Sequence, residues 1–425
     1  MNGYSEFTQL QAAHSRNSGK GCLVCHRNLY PFPELCYNPD IEKTTSLPNN
    51  LPNDGGAELP ARTLRSAYEQ QDTRFAHAFD VLTQAISERA FPSASVAITH
   101  NAELVCLKAF GYFTYEKESP EVTTASIFDV ASLTKVLATT AMAMILYDRG
   151  KLDLEMPVIK LVPEIRTDDQ RRERITLRML LAHSSGLPAY EKLFLRANGR
   201  DEILAAACCT PLAADPGTKT EYSDIGFMIL GAALERVAND VLDHFCQHEI
   251  FGRLGMAHTA FDPPLHWWEL IPPTQDDQTF RHRLIQAEVQ DENASAMGGV
   301  AAHAGLFASA ADVATFAHGM LQGGRPILRP ETLAVFTKRQ ANPAGTSRAL
   351  GWDTPSTPSQ SGQYFASHSF GHLGYTGTSL WIDPKRQISV TLLTNRTWPD
   401  CSNQAIKQVR PKFHDAVIEA LEGKR

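Results

Sequence analysis

Two β-hairpins are predicted near opposite ends of the chain, and they constrain its fold more than any other feature. The first pairs residues 94–99 with 103–108, and the second pairs residues 378–382 with 388–393. The segment between the hairpins has mostly helical patterns. We therefore predict an α+β fold in which N- and C-terminal segments form one antiparallel sheet flanked by helices. A mostly helical insertion is expected at about residues 140–295, with a cleft between sheet and insertion.

An irregular N-terminal extension is predicted for residues 1–66, which are rich in Asn, Pro, Ser and Gly and show no sustained periodicity. Residues 67–425 are predicted to form the folded domain. Its first helix is amphipathic and carries Phe75, Phe79 and Leu82. A further amphipathic helix is expected within residues 401–421, close to the C-terminus.

The composition of the 425 residues, 43% hydrophobic and 20% charged, is typical of a soluble globular enzyme. The net charge is −7 and the densest basic group is residues 171–174, so nucleic acid is not expected as a partner. No apolar run is long enough for a membrane span, and the beginning of the chain lacks the apolar core of a signal peptide. These features predict a cytoplasmic protein.

The eight cysteines follow no regular framework, so disulfides are not expected. One local cluster, Cys22-Leu23-Val24-Cys25-His26, matches the pattern of c-type haem attachment, and together with Cys36 it suggests a metal knuckle. A chance match within the extension is the other interpretation. Haem attachment requires export, and a second Cys-x-x-Cys for zinc is absent, so we predict neither a cofactor nor a metal.

Ser132 and Lys135 are the strongest candidates for chemistry. They begin a predicted helix over residues 132–147 that stops before Gly150. Residues three apart share a helix face, so the Lys135 amine can reach the Ser132 hydroxyl. The positive end of the helix suits an oxyanion, and apolar surroundings would favour the neutral, basic form of Lys135. Chance spacing or a surface pair explains this motif equally well when it is taken alone.

Companion motifs give the pair a context. Ser132-Leu133-Thr134-Lys135, Tyr222-Ser223-Asp224 and Gly371-His372-Leu373-Gly374 follow one another in the order of three motifs of a known superfamily. Residues from about 70 to 421 resemble the serine β-lactamase and penicillin-binding-protein superfamily, in its class C-like branch. That branch includes family VIII carboxylesterases and muropeptide amidases. Residues 176–188 and 297–307 resemble supporting segments of the same branch.

The resemblance implies a role for each motif residue. Ser132 would attack an acyl carbonyl and form an acyl-enzyme, while Lys135 and Tyr222 remove and relay its proton. The backbone N–H groups of Ser132 and Tyr375 would hold the oxyanion. His372 would replace a cationic Lys as a hydrogen-bond donor near the substrate carboxylate or the Tyr222 hydroxyl. The substrate-binding and oxyanion residues are then Tyr375, His372, Gly374 and Asp224.

Two departures from the superfamily pattern bear on the substrate. Asp224 stands where many β-lactamases have Asn, and Leu373 stands where a Thr hydroxyl commonly binds the β-lactam carboxylate. Efficient β-lactam hydrolysis is therefore not expected. We predict an esterase or a β-lactamase-related hydrolase of small acyl substrates, with an ester, amide or muropeptide as the substrate.

Two other functions stay open: a cell-wall fragment amidase or D-Ala carboxypeptidase, and a catalytically weak binding module. Other hydrolase classes lack their motifs in this chain. No Gly-x-Ser-x-Gly elbow and no His-Glu-x-x-His motif occurs.

Overall fold

The computed structural model describes residues 63–423 of the chain. Its strands are β1 (Arg65–Ser66), β2 (Ser93–His100), β3 (Glu103–Gly111), β4 (Ile127–Asp129), β5 (Thr259–Phe261), β6 (Gln275–Asp277), β7 (Arg283–Ile285), β8 (Leu306–Ser309), β9 (Phe370–Leu373), β10 (Ser379–Asp383) and β11 (Ile388–Thr394). The largest sheet has six strands in the order β1-β3-β2-β11-β10-β9. A second sheet has the order β4-β8-β5, and β6 pairs with β7.

The six-stranded sheet joins both ends of the chain, as predicted. β2 and β11 lie antiparallel at its centre, with Val96 opposite Leu392, and each strand belongs to one of the two predicted hairpins. The α+β architecture is therefore confirmed. At one edge β1 pairs in parallel with β3, although the sequence pattern assigns residues up to 66 to the irregular extension. A strand of two residues is too short to show alternation, so periodicity cannot reveal it.

Along the chain, most helices come between the N-terminal strands and the C-terminal strands of this sheet. The helices are α1 (Gln71–Arg74), α2 (Ala76–Ser87), α3 (Ala141–Asp148), α4 (Leu177–Leu181), α5 (Arg200–Cys209), α6 (Asp224–Ala238), α7 (Leu242–Cys246), α8 (Gly252–Leu254), α9 (Glu292–Ala296), α10 (Ala310–Leu321), α11 (Pro330–Thr337) and α12 (Ile406–Glu422). Helices α3 to α8 occupy the predicted insertion, which also contains the short strands β5, β6 and β7.

The two faces of the six-stranded sheet bury different helices. Val96 and Ile98 of β2 share an apolar cluster with Phe79 of α2 and Phe413 of α12. Ala97, between them in sequence, belongs to the cluster on the opposite face, where α10 packs against β2 and β11. This alternation is that of a strand buried on both faces. The edge strand β9 pairs on its outer side with Asp353, which exchanges two backbone hydrogen bonds with Gly371 at 2.8 and 2.9 Å.

The predicted helix over residues 132–147 is present but not continuous. Residues Ala131–Leu133 form a 3₁₀ turn, Lys135–Thr140 form a π-helical segment, and α3 follows. Ala131 has φ +48°, in the left-handed region that residues with a side chain seldom adopt. The buried Asp129 carboxylate accepts the Ala131 N–H at 2.8 Å and holds this conformation. Sequence propensity cannot register such a local exception, because a tertiary framework imposes it.

The end of this helical segment agrees with the prediction. Gly150 has φ +68°, and the N–H groups of Gly150 and Lys151 donate to the carbonyls of Tyr147 and Leu146. This is the glycine-terminated geometry expected for a helix C-terminus.

Among residues 63–423, no helix combines the length and the apolar composition needed to cross a membrane. The cluster Cys22-Leu23-Val24-Cys25-His26, Cys36 and nearly all of the predicted extension lie outside the described residues.

Replacing Phe413 by Ala is expected to destabilise the domain by about 3–5 kcal/mol, because the ring is fully buried between α12 and the sheet and its removal leaves a cavity. The neighbouring Lys412→Ala variant is the matched control. Its side chain is exposed on the same helix, and the change is expected to stay within about 0.5 kcal/mol. Urea unfolding followed by circular dichroism measures both. Equal losses in the two variants would contradict this packing of α12.

Candidate active site

The predicted site residues meet at one cavity of about 710 Å³. The part of its lining that was predicted from sequence comprises Ser132, Tyr222, Asp224, His372, Gly374 and Tyr375. Lys135 lies behind this lining with its side chain fully buried. The site therefore combines residues from three parts of the chain that are far apart in sequence: the helical segment that begins at Ala131, the insertion, and β9 with the turn that follows it.

Lys135 is the centre of the site. Its Nζ lies 3.0 Å from Ser132 Oγ, 2.9 Å from the His303 carbonyl oxygen and 2.7 Å from Asp224 Oδ1. Burial lowers the pKa of Lys135, but the Asp224 carboxylate and the Tyr222 hydroxyl outweigh burial, so the pKa is raised above its ordinary value. The expectation that apolar surroundings favour a neutral amine is therefore wrong, because Asp224 supplies a counter-charge. In the resting site Lys135 is an ammonium.

Tyr222 directly precedes α6, whose N-terminus is capped by Ser223. The Ser223 hydroxyl accepts the Gly226 N–H at 3.0 Å and donates to the Pro188 carbonyl at 2.6 Å. These two hydrogen bonds fix the backbone directly after Tyr222, at the start of α6. The Tyr222 hydroxyl interacts electrostatically with Lys135 and Ser132, and Lys135 Nζ lies 4.9 Å from the centroid of the Tyr222 ring. Burial raises the pKa of Tyr222, and the Lys135 charge only partly opposes this. Tyr222 is therefore a protonated phenol that lines the same cavity as Ser132.

His183 is a site residue that the sequence analysis did not single out. Its ring packs against Tyr222 at 4.6 Å between centroids and stacks on Phe227 at 4.9 Å. Its Nδ1 accepts the Ser223 N–H at 3.0 Å. Burial, with the positive charges of Arg348 and Lys135, holds the pKa of His183 well below its usual range. This neutral ring packs between Tyr222 and Phe227 and so orients Tyr222. In the sequence, His183 is marked only by its place in segment 176–188, which resembles the superfamily.

The turn between β9 and β10 is clamped onto the segment that precedes Ser132. Thr376 Oγ1 donates to the Asp129 carbonyl at 2.8 Å, and Thr378 Oγ1 donates to the Val130 carbonyl at 3.0 Å. A Cβ on Gly374 would lie 2.6 Å from the Val130 carbonyl oxygen and collide with Thr378 Oγ1. Only glycine permits this close approach. The approach brings Tyr375 to the cavity beside Ser132.

Two arginines outside the three motifs hold the backbone around Tyr375. Arg410 of α12 donates through Nη2 to the Gly374 carbonyl at 2.6 Å, and Arg396 donates through Nε to the Tyr375 carbonyl at 2.6 Å. In a trans peptide the C=O and N–H groups point in opposite directions. Because Arg410 fixes the Gly374 carbonyl, it also fixes the direction of the Tyr375 N–H. This is the preorganisation that an oxyanion donor needs.

His372 lies at the predicted place but in another chemical form. Its Nδ1 is 2.8 Å from the Leu373 carbonyl oxygen, which can only accept, so Nδ1 carries the proton. Burial and the positive charges of Lys135 and Arg348 keep the pKa of His372 well below its usual range. The other ring nitrogen, Nε2, therefore carries a lone pair, and it is buried without a hydrogen-bond partner. The prediction that His372 replaces a cationic Lys as a donor is wrong, because the ring is neutral and its donor is already used.

Arg348 supplies the positive charge that His372 lacks. Its guanidinium carbon lies 5.1 Å from the centroid of the Tyr222 ring, and Nη1 lies 3.7 Å from Asp353 Oδ2. Both Arg348 and Asp353 line the cavity. No sequence motif includes Arg348, so only the folded chain reveals its position above the site.

The buried His303 and the partly exposed Asp291 form a pair beside Lys135. His303 Nε2 donates to Asp291 Oδ1 at 3.0 Å, and the same carboxylate caps the N-terminus of α9 through the Ala294 N–H at 2.8 Å. The pair fixes the segment whose His303 carbonyl accepts from Lys135. Within the part of the chain that the structure describes, no cluster of three or more His, Cys, Asp or Glu side chains is arranged to hold a metal ion.

Comparison with known proteins places the chain in a family. A family model described as Beta-lactamase matches residues 73–409. The chain belongs to this family, and thus to the serine β-lactamase and penicillin-binding-protein superfamily. The "Putative D-alanyl-D-alanine carboxypeptidase" of Escherichia coli (strain K12) is 31% identical over 344 residues, which are 72% of this chain and 79% of that protein.

Solved structures share the fold at lower sequence identity. EstCE1, described as a hydrolase with promiscuous acyltransferase activity, has a TM-score of 0.66 at 22% identity, covering 82% of this chain and 99% of that one. The octameric penicillin-binding protein homologue from Pyrococcus abyssi has a TM-score of 0.64 at 21% identity, covering 82% and 78%. Both have the β-lactamase and transpeptidase fold that the sequence predicted.

For the acyl-enzyme predicted on Ser132, replacing Gly374 by Ala is expected to lower the acylation rate by about 10²–10³-fold, the usual effect of losing one oxyanion donor. The added methyl group would push the backbone at Tyr375 away from Val130. Gly226→Ala is the control, because its Cβ would meet Ser223 Oγ at 3.4 Å, an ordinary contact. Stopped-flow kinetics with an activated ester measures acylation. An unchanged acylation rate in the Gly374 variant would exclude this strand as the oxyanion donor.

Proposed function

We propose that this protein is a serine hydrolase that forms an acyl-enzyme on Ser132. The observation that carries the proposal is the 3.0 Å contact between Lys135 Nζ and Ser132 Oγ at the buried end of an open cavity. Ser132 attacks the acyl carbonyl while Lys135 and Tyr222 remove and relay its proton. The N–H groups of Ser132 and Tyr375 hold the oxyanion. The leaving group departs with a proton, and water then releases the acyl group.

Small esters are the first substrate class that we propose. A cavity of about 710 Å³ has room for a compact acyl group together with its leaving group. The esterase proposal is also supported by the fold shared with EstCE1, which is described as a hydrolase with promiscuous acyltransferase activity.

A D-Ala carboxypeptidase or cell-wall fragment amidase is the second candidate, and Arg348 favours it. A guanidinium beside Tyr222 is suited to the carboxylate at the end of a peptide substrate. The curated relatives named as D-alanyl-D-alanine carboxypeptidases support the same choice. A binding module without turnover is less well supported, because Ser132, Lys135 and Tyr222 are all present and in contact.

Intact-protein mass spectrometry tests the acyl-enzyme directly. After mixing with p-nitrophenyl butyrate, we expect a transient butyryl adduct and release of p-nitrophenol by the native protein, and neither by Ser132→Ala. The control is Ser87→Ala, which removes an exposed hydroxyl at the end of α2 and is expected to react normally. A penicillin is tested in parallel, with little or no turnover expected. Absence of any adduct on the folded native protein would refute the proposal and favour the binding module.

The Arg348→Met variant separates the two substrate classes. For an acyl-D-Ala-D-Ala peptide we expect KM to rise about 10–100-fold, because a charge-assisted hydrogen bond contributes about 1.5–3 kcal/mol. For the same peptide with a C-terminal amide, and for p-nitrophenyl butyrate, KM is expected to change by less than about threefold on the same reasoning. Arg174→Met, an exposed arginine outside the cavity, is the control. Equal losses for the acid and the amide would show that Arg348 acts by supporting Tyr222 instead.

A further inference from the structure

The Lys135–Asp224 contact gives the site an acid–base partner that the Ser-x-x-Lys motif does not contain. Asp224 Oδ1 is 2.7 Å from Lys135 Nζ, and the Lys135 side chain is fully buried. Of the three groups around Nζ, the Asp224 carboxylate and the His303 carbonyl only accept protons in hydrogen bonds, whereas Ser132 Oγ can also donate. Lys135 therefore contacts Ser132 as an ammonium that is already paired with a carboxylate.

An ammonium cannot take a proton from Ser132 unless it gives one up. Asp224 is the one carboxylate in contact with Nζ among the residues that the structure describes. We propose that Asp224 is a positioning residue that receives, through Lys135, the proton removed from Ser132. This inference rests on the proposed function, because it concerns the acylation of the same serine.

The proton movements balance over one acylation. As the bond from Ser132 Oγ to the acyl carbon forms, the hydroxyl proton passes to Lys135 Nζ and one ammonium proton passes to Asp224 Oδ1. When the bond to the leaving group breaks, Tyr222 hands its phenol proton to that group and is reprotonated by Lys135, which recovers its proton from Asp224. In deacylation a water molecule takes the place of the Ser132 hydroxyl. No oxidant, metal or further reactant is needed.

Other charged and titratable groups around Lys135 do not take this place. They are Tyr222, Asp291, His183, His372 and Arg348. Asp291 is engaged by His303 at 3.0 Å and by the Ala294 N–H. The two histidines are neutral and buried, and Arg348 is itself a cation. Tyr222 is a phenol with its proton in place. Asp224 is thus the acceptor that the geometry leaves for Lys135.

The direction in which the acid limb of the pH profile moves tests the proposal. In the native protein the working form needs the Asp224 carboxylate beside Lys135, and the acid limb of kcat/KM for p-nitrophenyl butyrate is the reference for the variants. In Asp224→Asn the site works only when Lys135 is already neutral. Because an amine loses its proton at higher pH than a carboxyl group, the acid limb should move upward by at least about two pH units.

Two further variants make the profile specific. Asp224→Glu keeps the carboxylate and is expected to keep the acid limb in place with a lower plateau. Glu221→Gln removes one negative charge from a residue that pairs with Lys219 at the surface, and it is expected to change neither limb nor plateau. If neutral Lys135 were the working base in the native protein, removal of Asp224 would move the limb downward. A lower plateau with an unmoved limb would assign Asp224 a purely structural role. Either result overturns the proposal.

Stability measurements test the ion pair without substrate. Loss of the counter-charge leaves burial to depress the pKa of Lys135 in the folded protein. The unfolded Asp224→Asn chain then binds more protons than the folded one, so its free energy of unfolding should rise with pH until the pKa of an unfolded Lys is reached. We expect the stability deficit of Asp224→Asn to shrink between pH 7 and 10, and no such trend in the double variant with Lys135→Met. A constant deficit would overturn the proposal.

Failure of the inference and failure of the proposed function are distinguishable. If native protein forms the Ser132 adduct but the Asp224→Asn limb stays or moves downward, only the inference fails. If native protein forms no adduct, both fail.

Discussion

The burial of one ammonium group is the constraint on which the site depends. Moving a charge from water into a protein interior costs several kcal/mol unless it is paired and hydrogen-bonded. Lys135 is fully buried, and its compensation comes from Asp224, the His303 carbonyl and Ser132. Each partner comes from a different part of the chain. The surrounding elements must therefore meet at one point, because a missing partner would leave the charge uncompensated.

The fold brings these partners together by attaching the site to the edge of the six-stranded sheet. The six-stranded sheet is buried on both faces, and its edge strand β9 is held on its outer side by the backbone of Asp353. Threonines of the β9–β10 turn tie this edge to the segment before Ser132, and Arg410 of α12 ties it from outside. The insertion contributes Tyr222 and Asp224 from one end of α6. The residues proposed as nucleophile, proton carriers and oxyanion donor thus come from elements that are tied to one another by hydrogen bonds.

Sequence reasoning predicted the parts of this design that are local. The hairpins have period-two patterns, and Ser132, Lys135 and Tyr222 stand in short motifs, so they were found without a structure. His183, Arg348 and Arg410 were missed because their roles depend on contacts with residues distant in sequence. The form of His372 was predicted incorrectly for a similar reason: a neighbouring carbonyl accepts from its N–H, and burial, together with two cations distant in sequence, holds its pKa low. Periodicity and motifs carry no information about such partners.

The charged groups around the cavity differ in how fully they are compensated. Lys135 and Asp224 lie 2.7 Å apart and compensate each other, whereas Arg348 has a longer contact of 3.7 Å with Asp353. The field of Arg348 reaches His183 and His372, and it contributes to the low pKa of both. A substrate carboxylate at Arg348 would cancel much of this field, while a neutral ester would leave it intact. The site around Ser132 would therefore have a different electrostatic potential with each substrate class. A peptide acid and a neutral ester would differ in this potential as well as in how they fill the cavity.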